Sequence, residues 1–282
     1  MSSTAVRAIL CLVVVCLAAS RLPAGNKWVP IGPAPINGSF SGGVTGRASV
    51  IAVNPNNGQQ VWLGTAAGGV WFTPDGGQTW EPLSDKAPSL AIGAIELAGC
   101  DANGCDTLYV GTGEDAIRRD TYYGEGLLVG TRVQSDPLTY SWLLRDGSPS
   151  YDFHGGSIVD IVLLPGTSGP ETVIYVALSS GVTVSATEAT VTAPEPTGGY
   201  GLYRSNDNGA SWTKLTVNAS DGAIPTSLRI DPQTPSTLYA GFLGKGVFKS
   251  TNGGASWCPL NPGLDGGLTC PVSTGLPNPN EV

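Results

Sequence analysis

Short apolar or alternating runs, about five residues long and separated by Gly, Pro, Asn and Asp, fill the chain from Ser49 to Leu260. Runs of that length bounded by turn residues predict strands rather than helices. They recur as a unit of four. First strands are predicted at 49–53, 92–97, 157–162 and 226–230, and second strands of the V-W-L-G-T type at 61–65, 108–112, 174–178 and 238–242. Third strands follow at 69–73, 126–130, 201–205 and 246–250, and fourth strands open at Trp80, Trp142, Trp212 and Trp257. The pattern reads as all-β, a β-propeller of four-stranded antiparallel blades. About four blades are visible, and the propeller is expected to be incomplete or part of a larger ring. Trp28-Val-Pro-Ile31 resembles the fourth strands at Trp80 and Trp257 and would suit a ring-closing strand.

Three of the four turns before the Trp carry one octapeptide: TPDGGQTW at 73–80, SNDNGASW at 205–212 and STNGGASW at 250–257. This [ST]-x-D-x-G-x-[ST]-W pattern, three times in register, resembles the Asp-box (BNR) repeat of sialidase-like, sortilin-like and xyloglucanase-like β-propellers, from Gly46 to Leu260. Asn252 replaces the Asp in the last copy, and the second unit keeps only Ser141-Trp142 after a predicted enlarged turn at 131–140. The Asp can accept hairpin N–H groups, and Gly77, Gly209 and Gly254 can take φ > 0. Asp75, Trp80, Asp207, Trp212, Asn252 and Trp257 are therefore assigned to the fold, as the resemblance also implies. Trp71, Tyr203 and Phe248 recur at one third-strand position and read as core between blades.

The first segment has a different character. Arg7 followed by the apolar run AILCLVVVCLAA at 8–19 and small residues reads as a signal peptide over residues 1–24, cleaved after Ser20 or Ala24. The rival is an uncleaved N-terminal anchor; no later run approaches the roughly 20 residues a spanning helix needs. Residues 25–260 form the repeat region, and 261–282 a Pro/Gly-rich tail. The expected location is secreted, periplasmic or extracellular. Beyond the signal, Cys100, Cys105, Cys258 and Cys270 remain. Four Cys allow three connectivities, and the close spacings favour Cys100–Cys105 and Cys258–Cys270. With one His in the chain and no CxxC pair, no metal is expected, nor any cofactor, although the segment at 101–106 faintly echoes a calcium loop.

Lys and Arg total 14 against 22 Asp and Glu, a net charge of −8 that argues against a nucleic-acid or anionic-membrane partner. The 41% hydrophobic content suffices for a core. Two segments exceed the repeat, at 113–124 and 179–200, and both fall on the face opposite the octapeptide turns. Glu114, Asp115, Arg118, Arg119, Tyr122 and Tyr123 of the first segment could bind sugar hydroxyls or carboxylates. Arg47, Asp152 and His154 precede first strands and approach the same rim. Loops of this kind are often solvated and nothing more, and often functional.

The resemblance gives an enzymatic alternative to test. A xyloglucanase-like catalytic Asp in a segment resembling A-R-T-D-I-G-G aligns with 63–69, where Ala66 takes the acid position. A glycosidase needs two carboxyl groups flanking the bond. A sialidase-like F-R-I-P segment is missing, and Arg118, Tyr122 and Glu125 cannot replace it on spacing. The sequence therefore indicates an exported module binding carbohydrate or a secreted or cell-surface protein. A glycoside hydrolase with residues outside this chain, and a chaperone resembling photosystem II assembly factors, are the alternatives; oligomeric state is left open. Peptide mapping of the non-reduced protein should find Cys100 joined to Cys105, Cys258 joined to Cys270 and no alkylatable thiol; a crossed pair would overturn the assignment.

Overall fold

The computed structural model describes residues 47–114, 122–133, 136–148, 150–180, 194–217 and 223–260, all within the compact unit Pro33–Val282. The signal segment, Trp28, Cys270 and the tail lie outside them. Blade A comprises β1 (Ala48–Val53), β2 (Val61–Thr65), β3 (Val70–Thr73) and β4 (Glu81–Pro82), and blade B comprises β5 (Ile92–Asp101), β6 (Gly104–Thr112), β7 (Leu127–Val133) and β8 (Asp136–Arg145). A small hairpin, β9 (Gly147–Ser148) with β10 (Tyr151–Asp152), leads into blade C: β11 (Gly156–Leu163), β12 (Ile174–Ser180), β13 (Gly201–Ser205) and β14 (Thr213–Lys214). Blade D comprises β15 (Pro225–Ile230), β16 (Leu238–Phe242), β17 (Gly246–Ser250) and β18 (Cys258–Pro259). Each blade is an antiparallel four-stranded sheet in chain order, and the four form a β-propeller arrangement.

Blade B departs from expectation in detail. The predicted enlarged turn at 131–140 is mostly strand, because β7 and β8 extend to pair Val133 with Asp136. Trp142 therefore sits inside β8, whereas Trp80, Trp212 and Trp257 immediately precede their strands. The β5–β6 hairpin is also long, and the Cys100–Cys105 disulfide joins its two strands. Cys258 is disulfide-bonded too, but its expected partner is not among the described residues.

Blade packing explains the repeat. First strands lie side by side, β1 with β5, β5 with β11 and β11 with β15, which brings them together toward the axis. The core divides into clusters at the interfaces between consecutive blades. Trp62 and Phe72 of blade A meet Ile92, Leu108 and Leu128 of blade B. Tyr109 and Val129 of blade B meet Ile158, Val176 and Tyr203 of blade C, and Tyr175 of blade C meets Leu228 and Phe248 of blade D. The small fourth residue of V-W-L-G-T follows from this contact. A Cβ on Gly64 would stand 2.6 Å from Ile92 Cγ2, and one on Gly111 2.5 Å from Ile158 Cγ2. Any side chain there would push the next blade's first strand away.

The interfaces also set which faces are covered. Along β12 six consecutive residues are buried, while β16 alternates buried with half-buried, so one face of blade D is more fully covered than the other. In blade A, Val50 and Ala52 pack toward blade B, whereas Ile51 (63% exposed) and Val53 (49%) point the other way. Trp71 shares that side and is only half-buried, unlike Tyr203 and Phe248, which pack against the preceding blade as expected.

The octapeptide hairpins share one hydrogen-bond pattern. In the first, Asp75 Oδ1 accepts from the Thr73 hydroxyl at 2.8 Å and the Thr79 N–H at 2.9 Å, and Oδ2 accepts from the Thr79 hydroxyl at 2.7 Å. Asp207 repeats this with Ser205 and Ser211. These bonds, the Thr79 N–H foremost, hold the Asp75 carboxyl below its ordinary range. Gly77, Gly209 and Gly254 adopt φ of 92°, 80° and 88°, and their N–H groups go to the Thr or Ser that opens each hairpin rather than to the acid. Asn252 serves as well, since Oδ1 accepts from the Ser250 hydroxyl and the Ser256 N–H while Nδ2 donates to the Ser256 hydroxyl. An acceptor is thus required at this position, and a charge is not. Asp207→Ala should cost about 1 to 3 kcal/mol in denaturant unfolding, while Asp207→Asn retains most of the stability; an Ala variant as stable as the parent would remove the turn role.

Candidate functional site

The connections from second to third strands hydrogen-bond to the crossovers between blades, and together they form the rim opposite the hairpins. Gly69 N–H reaches Leu90 O at 2.9 Å, Gly113 N–H reaches Ala91 O at 2.8 Å, and Gly124 N–H reaches Gly156 O at 2.7 Å. Asp152 pairs with Thr197, which brings the end of the second long insertion to the same rim. This backbone lattice positions the side chains that the sequence singles out.

Two groupings result. Arg47 holds both carboxylate oxygens of Glu114, through Nε at 3.2 Å and through a closer Nη2 contact. Glu114 is only 3% exposed, and its N–H donates to Tyr122 O. Its side chain therefore fastens the loop and is not presented to solvent, while Tyr122 is exposed. The second grouping surrounds His154. Its Nδ1 lies 2.6 Å from Glu125 Oε2, its N–H donates to Asp152 Oδ1, and Tyr123 stacks edge-on at 5.3 Å. His154 and Glu125 are each more than one third exposed. A polar pair beside an aromatic ring on an open rim can hydrogen-bond a polar ligand while the ring packs on its apolar part.

Asp115, Arg118 and Arg119 lie outside the described residues. Sequence reasoning set Glu125 aside; its signal was its place next to Gly124, where the insertion rejoins β7. Ala66 is buried, with its N–H bonded to Arg47 O at 2.9 Å, so it belongs to the rim's backbone lattice. In the 101–106 segment the Asp101 carboxylate accepts from Asn103 N–H and Gly104 N–H, an arrangement that closes the turn.

A further charged group lies on the first strands. Asp160 of β11 accepts from Leu228 N–H at 2.8 Å and from the Arg229 guanidinium of β15. Glu96 of β5 belongs to the same electrostatic cluster. Burial pushes the Glu96 carboxyl up to about 7, with Asp160 adding to the rise and Arg229 opposing it. Nothing in the alternation of the first strands marked these positions, because the cluster spans three blades.

No protein-family profile matches the chain, and no curated protein does. Among solved structures, an ancestral GH74 enzyme superposes with a TM-score of 0.52 at 22% identity over 83% of this chain and 25% of its own. The GH74 xyloglucanase from Xanthomonas campestris gives 0.51 at 18% identity over 75% of this chain and 29% of its own. A third structure, YCF48 bound to D1 peptide, gives 0.45 at 13% identity over 83% of this chain and 57% of its own. The two GH74 likenesses support the propeller fold, and this chain spans about a quarter of those enzymes' length.

Glu96 makes a stability statement of its own. Its carboxyl rises from 4.5 in the unfolded chain to about 7 in the fold, so the unfolded state ionises first and stability falls as pH climbs between those values. Full ionisation costs on the order of 3 kcal/mol. Glu96→Gln should therefore unfold at higher denaturant than the parent above pH 7 and match it near pH 4; parallel pH profiles would refute this role.

Proposed function

We propose that the chain is an exported propeller module that binds carbohydrate through the rim bearing Tyr122, Tyr123, Glu125, Asp152 and His154, without chemistry of its own. The observation that carries this reading is the His154–Glu125 pair, open to solvent and flanked by Tyr123. Tyr123 belongs to the 113–124 segment that exceeds the repeat, Glu125 directly follows it, and His154 lies in the crossover before β11, so none of the three is part of a blade strand. Export rests on the signal-like segment at 1–24. Carbohydrate is preferred over protein because the fold is shared with GH74 enzymes, one of them named a xyloglucanase. Asp115, Arg118 and Arg119 belong to the proposed site by sequence position.

A glycoside hydrolase is the second reading, favoured by the same fold. Against it, Ala66 stands where the resembling segment has its catalytic acid, and hydrolysis needs two carboxyl groups. Titration of the chain with xyloglucan oligosaccharides should show saturable binding that Tyr123→Ala and His154→Ala each weaken about tenfold, or about 1.4 kcal/mol, with the melting temperature unchanged. Affinity indifferent to both variants would move the site elsewhere. Release of reducing ends by the parent protein would replace the binding reading with the hydrolase.

A further inference from the structure

Blades A and B are held together laterally in a different way from the other blades. Tyr109 and Tyr175 donate their hydroxyls to Asn208 Oδ1 at 2.8 Å and to Gly253 O at 3.2 Å, both in the next blade's octapeptide hairpin. Trp62, paired with Ala52 as they are with Glu96 and Val162, is their counterpart in blade A, and its buried Nε1–H meets no acceptor. A clasp made by one turn of blade A takes the place of that contact. In it the side-chain amides of Asn54, Asn56 and Asn57 donate to the carbonyls of Asp101, Cys100 and Ala102 at 2.7, 2.7 and 3.0 Å.

The last of these side chains precedes a glycine. In an Asn-Gly pair the glycine nitrogen can approach the side-chain amide carbon closely, because no Cβ shields it. The chain has five such pairs, with Asn at 37, 57, 103, 208 and 252, and the first lies outside the described residues. In three of the others the glycine N–H is held: Gly104 donates to Asp101 Oδ1 at 3.0 Å, Gly209 to the Ser205 hydroxyl at 2.8 Å and Gly253 to Ser236 O at 2.8 Å. Gly58 is different. It is exposed, a Cβ built on it meets nothing within 4 Å, and among the described residues its N–H has no acceptor. Asn57 Oδ1 accepts from the Gln59 N–H at 3.2 Å, a bond that draws electrons away from the amide carbon.

We propose that Asn57 is the deamidation site of the folded protein, and that its modification releases the clasp between blades A and B. Once solvent hydroxide has taken its proton, the Gly58 nitrogen bonds to Asn57 Cγ, the bond from Cγ to the side-chain nitrogen breaks, and ammonia leaves. Water then adds to one of the two carbonyl carbons of the resulting five-membered imide and opens it to an aspartyl or an isoaspartyl residue. Amide and water have become carboxylate and ammonium, with nothing oxidised or reduced. At the other three pairs the glycine proton is committed to an acceptor, and that bond must be broken first. Either product lacks the N–H that Ala102 O accepts and turns a negative charge toward that carbonyl, next to Asp101. The isoaspartyl form also adds a carbon to the backbone of the turn that carries the clasp.

The test is incubation of the full disulfide-bonded chain at mildly alkaline pH, read by peptide mapping and mass spectrometry, with the reduced, urea-unfolded chain as control. In the folded protein position 57 should deamidate about fivefold or more faster than positions 103, 208 and 252. In the unfolded control the four should react at comparable rates. Gly58→Ala, whose added Cβ has room, should slow the reaction at Asn57 severalfold with the melting temperature unchanged. Asn57→Asp, the direct aspartyl product, should lower the melting temperature by about 2 to 4 °C. Equal rates at the four positions in the folded chain would overturn the assignment, as would an Asn57 that reacts only after unfolding. An Asn57→Asp variant that melts with the parent would overturn the release of the clasp.

Discussion

Everything in this protein hangs on the contact between the second strand of one blade and the first strand of the next. Strands of that kind cannot be stable singly, and a four-stranded sheet with both faces apolar needs a neighbour on each side. Close approach is secured by Gly64 and Gly111, which leave room for Ile92 and Ile158. Lateral position is secured by Tyr109 and Tyr175, whose hydroxyls cross to the following blade's hairpin. The Asp or Asn of the hairpin shapes the turn that presents those acceptors, so a short local motif and a long-range contact form one device.

The same constraint divides the molecule into two rims with different origins. The hairpin rim is built from repeated residues and is regular wherever the octapeptide is present; its irregularity is confined to blade B, where a longer pair of strands and a disulfide-linked hairpin replace the motif. There the Asn-rich turn of blade A takes over the lateral contact, with Asn54, Asn56 and Asn57 donating to the carbonyls of Asp101, Cys100 and Ala102. The opposite rim is built from segments that the repeat does not specify, tied to the blades by backbone hydrogen bonds. A regular scaffold carrying irregular connections is the arrangement in which loops can vary without disturbing the core.

The first strands add a cost to this architecture. Glu96, Asp160 and Arg229 stand where an apolar or neutral residue would satisfy the packing, and Ala52 and Val162 show that the positions register-equivalent to Glu96 tolerate one. Burial raises both carboxyls; at Asp160 a backbone N–H and a guanidinium oppose the rise, whereas at Glu96 the Asp160 charge adds to it. Groups of this sort mark places where stability has been given up.

The sequence by itself determined the strand order, the blade unit, the hairpin residues and the nearest disulfide, because each depends on residues adjacent in the chain: alternation sets a strand, a Gly-containing octapeptide sets a turn, and a five-residue spacing closes a bridge. It also placed both long connections on one rim, since the direction of successive strands follows from their count. Only the tertiary structure decided which rim residues meet. Arg47 and Glu114 are 67 positions apart and His154 and Glu125 are 29 apart, and no period relates them. It turned Glu114 from a ligand-facing acid into a buried anchor and brought Glu125 to His154. It likewise made Trp62 the partnerless member of an otherwise repeated contact, because what a residue at a blade interface touches is fixed by the next blade's hairpin and not by its own neighbours in sequence.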